Sequence, residues 1–223
     1  MTVVRFASVG EVSVDAELTA AEQARHDRLR FAADRDAYRA AHLLVRACAG
    51  ELLGVEPERV RLQQHCPRCG STDHGRPSIA GQPQLWVSLS HTRGHVAAVA
   101  ATAACGIDIE RVAGSIPRVA VTPRERTWLD AETDPLRAFT RLWVRKEALV
   151  KAGVADEPGT LDVLGPDASP PGRPGVAAGP TDRLSGFTLA DWAGPADALG
   201  RPVVWGCVAV QDEQRSTGSR GDC

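Results

Sequence analysis

One pentapeptide constrains this chain more than any other stretch: Gly106-Ile107-Asp108-Ile109-Glu110. Isoleucines alternate with carboxylates, so the segment reads as a strand with one apolar and one acidic face. Side chains two apart on a strand project side by side, and a pair of carboxylates placed so suits a divalent cation. A second stretch, Trp143-Val144-Arg145-Lys146-Glu147-Ala148-Leu149-Val150-Lys151, reads as a helix. At about 100° per residue, Phe139, Trp143, Glu147 and Val150 share one stripe, with Lys146 and Lys151 at its edges. A carboxylate inside an apolar stripe is costly unless paired or metal-bound. The reading that satisfies both stretches brings Asp108, Glu110 and Glu147 to one Mg²⁺, with Lys146 and Lys151 beside it. The alternative is a solvated strand edge and a salt-bridged surface helix, which charges set among aromatic positions argue against.

Composition narrows the rest. The 223 residues are 43% hydrophobic and 24% charged, enough for one large domain or two of about 100 residues. A net charge of -2 gives no bulk attraction to nucleic acid. No basic and apolar leader opens the sequence, and no apolar run approaches the roughly 18 residues of a membrane span. The expectation is a soluble cytoplasmic monomer without a membrane partner. The 6 cysteines are not a disulfide framework, because a chain of this length folds without one.

Residues 3–9 suggest a first strand. Thr19 and Glu22 form a capping box that opens a helix to about Ala33, basic in its later part through Arg25, Arg28, Arg30 and Arg35. A second helix over residues 36–53 carries Tyr38, Arg39 and His42 and stops near Gly54. Residues 60–64 read as a short strand. Next come His65, Cys66, Cys69 and His74, a Cys-x-x-Cys with two histidines. Zinc is one reading; the other is a loop with two free thiols, since structural zinc sites usually draw on two such pairs. Gly75-Arg76-Pro77 is a turn signal. Residues 85–90 form a strand ending in Ser88-Leu89-Ser90-His91-Thr92. Ser90 and His91 point to opposite faces, so they do not pair as nucleophile and base. Arg93-Gly94 turns the chain into an apolar strand over 95–101. Thr122, Pro123 and Glu125 start a helix. Asp134 and Pro135 start the next, which ends at Gly153. Residues 166–180 are rich in Pro, Gly and Ala and read as a long loop. Residues 187–192 and 203–210 are the last strands, and 211–223 a polar tail.

In this order the motifs resemble the 4′-phosphopantetheinyl transferases of the Sfp type. That family has a Gly-hydrophobic-Asp-hydrophobic-Glu strand followed by Trp-x-x-Lys-Glu-Ala and a further lysine, here Trp143, Lys146, Glu147, Ala148 and Lys151. It also has Gly-Lys/Arg-Pro, here 75–77, and an Asn-x-Ser-His-Ser variant, here 88–92 with Ser88 in place of Asn. The resemblance covers roughly residues 25 to 210. It implies an α+β fold of two similar halves related by a pseudo-twofold axis, with the active site at their interface. Residues 1–103 would take the nucleotide side of coenzyme A, and 104–223 the metal and carrier protein.

By the same resemblance the protein moves the 4′-phosphopantetheine arm of coenzyme A to a serine of an acyl or peptidyl carrier protein and releases 3′,5′-ADP. Asp108, Glu110 and Glu147 would be the ligands of Mg²⁺ or Mn²⁺, with Asp108, Glu147 and Lys151 carrying the chemistry. Coenzyme A would meet Arg39, Arg76, Pro77, Ser90, His91, Asp108, Lys146 and Lys151, with Arg25 and Arg28 as further basic residues. Glu125 would assist the metal. Two other classes stand beside this one. A metal-dependent phosphohydrolase would use the same carboxylates. A zinc-knuckle nucleic-acid-binding module would use Cys66, Cys69, His65 and His74, against which the net charge speaks.

Overall fold

A computed structural model describes residues 1–66, 69–71, 75–112, 114–164 and 182–212. His74, the 166–180 stretch and residues 213–223 of the tail lie outside them. The elements run β1 (Thr2–Ser8), α1 (Ala20–Arg28), α2 (Ala32–Leu53), β2 (Leu62–His65), β3 (Arg76–Ile79), β4 (Trp86–Thr92) and β5 (His95–Ala101). They continue with β6 (Cys105–Arg111), α3 (Pro123–Asp130), α4 (Pro135–Ala152), β7 (Asp182–Leu184), β8 (Phe187–Ala193) and β9 (Val204–Gln211). The fold is α+β, with two antiparallel sheets ordered β1-β5-β4-β3-β2 and β6-β9-β8-β7.

The strand β5 shows how the layers arise from period-two side chains. Val96, Ala98 and Ala100 join a core with Ala41, Val45 and Cys48 of α2. The alternate residues Ala97, Val99 and Ala101 join Ile107 and Ile109 of β6 and Val208 of β9. On its far face, sheet two presents Leu189, Cys207 and Ala209 to Val144, Ala148 and Leu149 of α4. The order of layers is therefore α2, sheet one, sheet two, α4. Each sheet carries one long helix on the face turned away from the other sheet. The small side chains between the sheets allow a close approach: a Cβ on Gly206 would meet the Phe6 ring at 2.4 Å.

Helix ends follow their caps. Thr19 and Thr122 each form a full capping box, with Glu22 and Glu125. Gly54 and Gly153 close α2 and α4 in the left-handed conformation, at φ 66° and 90°. Two expectations need correction. α1 stops at Arg28 instead of near Ala33, and α2 begins at Ala32. Arg35 explains the break: its guanidinium holds the carbonyls of Leu29 and Arg30 at 2.8 and 3.4 Å, so they need no helical partner. The Arg76-Pro77 turn signal is instead the start of β3, paired with β2 at His65↔Arg76. The reversal before it needs Gly75, at φ 110°, where a Cβ would lie 2.2 Å from the His65 carbonyl oxygen.

Candidate functional site

β6 is an edge strand of sheet two, and its free edge is where the two sheets' residues meet. A Cβ on Gly106 would lie 2.0 Å from the Ala148 carbonyl oxygen, so glycine lets α4 rest directly on the strand. Ile107 and Ile109 face inward and are fully buried. The exposed backbone of the edge is satisfied by side chains. The Ile107 N–H donates to Ser88 Oγ of β4 at 3.2 Å, and Lys151 Nζ of α4 donates to the Ile107 carbonyl at 3.1 Å. Ser88 thus ties the sheets together where the related pattern has Asn.

The acidic face of β6 turns toward α4. Asp108 is 3% exposed. Its Oδ1 accepts from Ser90 Oγ at 2.7 Å and Lys151 Nζ at 2.6 Å, while the buried Oδ2 has no partner. Burial, then the neighbouring Asp108 carboxylate, pushes Glu110 up to about 7, against a smaller pull from Lys151 and a hydrogen bond from the Thr92 side chain. Glu147 is raised by the same two causes, burial first and then Asp108. The three carboxylates share one neighbourhood, as the sequence led us to expect, and they repel one another there. They do not close into a ready cage: among the described residues no group of three or more His, Cys, Asp or Glu is arranged to hold a metal. Lys151 is the cation that faces them.

Beside this cluster lies a cavity of about 490 Å³ lined by strands of sheet one, by α1 and α2, and by the end of α4. Lys151 and Val150 of α4, Ser90 and His91 of β4, Arg76 and Pro77 of β3 and Arg25 of α1 are among its lining residues. Arg76 stacks over the Trp86 ring at 5.0 Å and reaches the start of the Gly153 turn. Arg25 donates to Gln64 at 2.5 Å. The crowded surroundings of His91 lower its pKa although the ring reaches solvent, and the Lys151 ammonium adds to that shift. A smaller cavity, about 310 Å³, lies beyond Glu110, against Phe139 and Trp143.

Several expected residues sit elsewhere. Lys146 is fully buried, with Nζ 2.5 Å from Glu125 and 3.0 Å from the Ala120 carbonyl oxygen, so it does not reach the cavity. Its direction is set by the helix: five residues separate it from Lys151, which places the two on different faces. Glu125 is equally buried and accepts from Lys146, from the backbone N–H of Thr122 and from that of Val163. Those bonds occupy it as a structural anchor rather than a metal ligand. Arg39 and Arg28 are exposed and lie outside the cavity lining, though the Arg28 charge reaches Tyr38. His65 is exposed, Cys66 buried and Cys69 exposed; they form no metal group among the described residues.

The structure adds residues that the motifs did not mark. Tyr38, His42 and Gln64 line the cavity. A polar His42 in an otherwise apolar helical stripe with Ala37, Ala41 and Val45 was the available signal. Asp191 of β8 is buried and grips Arg141 and Arg145 of α4 at 2.6–2.8 Å. No spacing in the sequence links a carboxylate to arginines 46–50 residues away.

Residues 104–177, about a third of the chain, match the family model of the 4′-phosphopantetheinyl transferase superfamily. The match takes in both β6 and α4 and supports that superfamily, and with it phosphopantetheinyl transfer in general. No curated protein matches the chain. No described helix is long and apolar enough to cross a membrane.

Proposed function

We propose that this protein is an Sfp-type 4′-phosphopantetheinyl transferase that modifies a carrier protein. The serine hydroxyl of the carrier attacks the phosphorus bearing the pantetheine arm of coenzyme A. A new P–O bond to serine forms, the pyrophosphate P–O bond breaks, and 3′,5′-ADP leaves with the bond electrons. The serine proton passes to Glu147, directly or through a water. A carboxylate with a raised pKa is better matched to that task than an ordinary one.

The observation that carries this reading is the Lys151–Asp108 pair, set where the cation-lined cavity meets the carboxylates. A nucleotide with a pyrophosphate needs positive charge along its length and an acidic cluster at the reacting phosphorus. Arg25, Arg76 and Lys151 supply the first, with the His91 ring as a further hydrogen-bonding group. Asp108, Glu110 and Glu147 would hold Mg²⁺ or Mn²⁺. Their donor atoms are all oxygen, the unpartnered buried Oδ2 of Asp108 suits a hard cation, and the two partly exposed glutamates have room to turn toward it. The ion, when bound, supplies charge neutralisation at the pyrophosphate.

In this reading residues 1–103 and 104–223 are two halves related by a pseudo-twofold axis, and coenzyme A lies between them. The carrier docks on the second half near α3, where Val119 is 86% exposed. The protein works in the cytoplasm as a monomer. A metal-dependent phosphohydrolase would use the same carboxylates on water. Incubation with coenzyme A, Mg²⁺ and an apo carrier protein separates the two. Gain of one phosphopantetheinyl group by the carrier, with release of 3′,5′-ADP, is the expected result. Coenzyme A cleavage with an unmodified carrier would sink the transfer reading.

A further inference from the structure

The inner wall of the cavity holds two polar atoms that the reaction above does not use. His42 is 3% exposed, and its Nε2, like the Tyr38 hydroxyl, has no partner. The two ring centroids lie 4.0 Å apart with the planes tilted by 30°, and the His91 ring meets Tyr38 edge-on at 6.2 Å. The orientation of His42 is fixed from behind. Its Nδ1 lies 2.8 Å from the Tyr38 carbonyl oxygen, an atom that only accepts, so Nδ1 carries the hydrogen. In a neutral imidazole the other nitrogen is then a lone pair. The ring is held neutral: burial first, then the Arg46 charge among its neighbours, lower its pKa to about 4, against the backbone bond to Tyr38 and the Glu22 charge.

A buried lone pair wants a donor and repels phosphate oxygens, which are acceptors. The cations that would hold phosphates lie around it instead: Arg25 and Lys151 line the same cavity, and the Arg25 and Arg28 charges act on Tyr38. Flat aromatic surfaces with cations at their rim suit a base whose sugar carries phosphate. We propose that His42 Nε2 accepts a hydrogen bond from the exocyclic amine of a 6-aminopurine, which makes this wall the base-selecting part of the site. Tyr38 does not discriminate, because a hydroxyl donates or accepts as required. The inference rests on the coenzyme A reading and adds the residue that reads the base.

The test compares coenzyme A with its deaminated analogue, in which hypoxanthine replaces adenine. The analogue turns an oxygen lone pair toward that of Nε2. Wild-type protein should bind it about 10-fold or more weakly, the scale of a lost hydrogen bond plus an unpaired acceptor. His42→Phe keeps a flat ring against Tyr38 and removes the lone pair. It should bind coenzyme A about 5–10-fold more weakly and bring the two ligands within about twofold. His42→Gln serves if the Phe variant does not fold; its amide turns either way, so the preference again disappears. Equal wild-type affinity for both ligands overturns the proposal while the transfer reading stands. So does a folded His42 variant that keeps the wild-type preference. If the wild-type protein binds neither nucleotide, both readings fall.

Discussion

Two lysines on α4 make nearly the same bond and do different work. Lys146 meets Glu125 at 2.5 Å, and Lys151 meets Asp108 at 2.6 Å. Both members of the first pair are fully buried, and backbone groups take up what the pair leaves over. The second pair is open on one side: Lys151 keeps 30% of its side chain exposed to the cavity, and Asp108 retains a bare oxygen. A closed pair can only hold the fold together. An open pair can exchange its partner for a ligand. Enclosure, not residue type or distance, separates anchor from site here.

The largest effect should come from opening the closed pair. Removing one member of a buried ion pair strands the other without water or partner, at a cost of about 3–5 kcal/mol. Glu125→Ala should therefore show a large drop in Tm and denaturant midpoint, and so should Lys146→Ala. Replacing both with apolar residues of similar volume should restore much of the loss. If Glu125→Ala melted like the wild type but lost turnover, Glu125 would belong to the site and the contrast would collapse.

The carboxylates around the open pair should behave in the reverse way. Glu147→Gln keeps shape and removes both a proposed metal-ligand oxygen and the proposed base. Turnover should fall by about 10²-fold or more, the scale of general-base loss, with Tm nearly unchanged. Asp108→Ala should remove most of the rate, and chelator-treated protein should be inactive until Mg²⁺ or Mn²⁺ is restored. Full-rate transfer after chelation would end the metal assignment. Near-normal turnover in Glu147→Gln would return α4 to a helix with a salt-bridged surface.

Lys151→Ala comes next in size. It removes one charge from the proposed pyrophosphate end while Arg25 and Arg76 remain. A fall of about 10-fold in turnover, with coenzyme A affinity partly kept, is expected for one cation among several. Loss of coenzyme A binding with unchanged kcat in the bound complex would make Lys151 a pure binding residue.

What the sequence made legible follows the same division. The alternation in 106–110, both capping boxes and the glycine ends of α2 and α4 are local patterns, and each appears in the structure as read. Asp108, Glu110 and Glu147 lie within reach of one another's charge, and Lys151, Ser90, His91, Arg76 and Pro77 line one cavity, because strand and helix periodicities fix the direction of a side chain. Lys146 failed because a stripe's edge has two sides, and only tertiary packing tells which one is sealed. Arg39 is exposed and does not line the cavity, although Tyr38 and His42 of the same helix do. Asp191 and the Tyr38–His42 wall were out of reach, since their partners come from distant elements.

The smallest effect concerns Glu110, which has no closed partner and is held near 7 mainly by burial and then by Asp108, against an ordinary 4.5. Between those values the folded, metal-free protein keeps a proton that the unfolded chain has released. Stability therefore falls as pH rises from about 4.5 through about 7 and levels off above, because the native state binds more protons in that window. Other groups have slopes of their own: His42, lowered to about 4, works in the opposite sense as pH falls below 6.5. The difference between wild type and Glu110→Gln isolates one group. In chelator, the glutamine variant should gain Tm relative to wild type as pH rises through this window, then hold a constant gap. Parallel melting curves for wild type and Glu110→Gln at every pH would mean that Glu110 is already compensated, and that the site is closed as the Lys146 pair is.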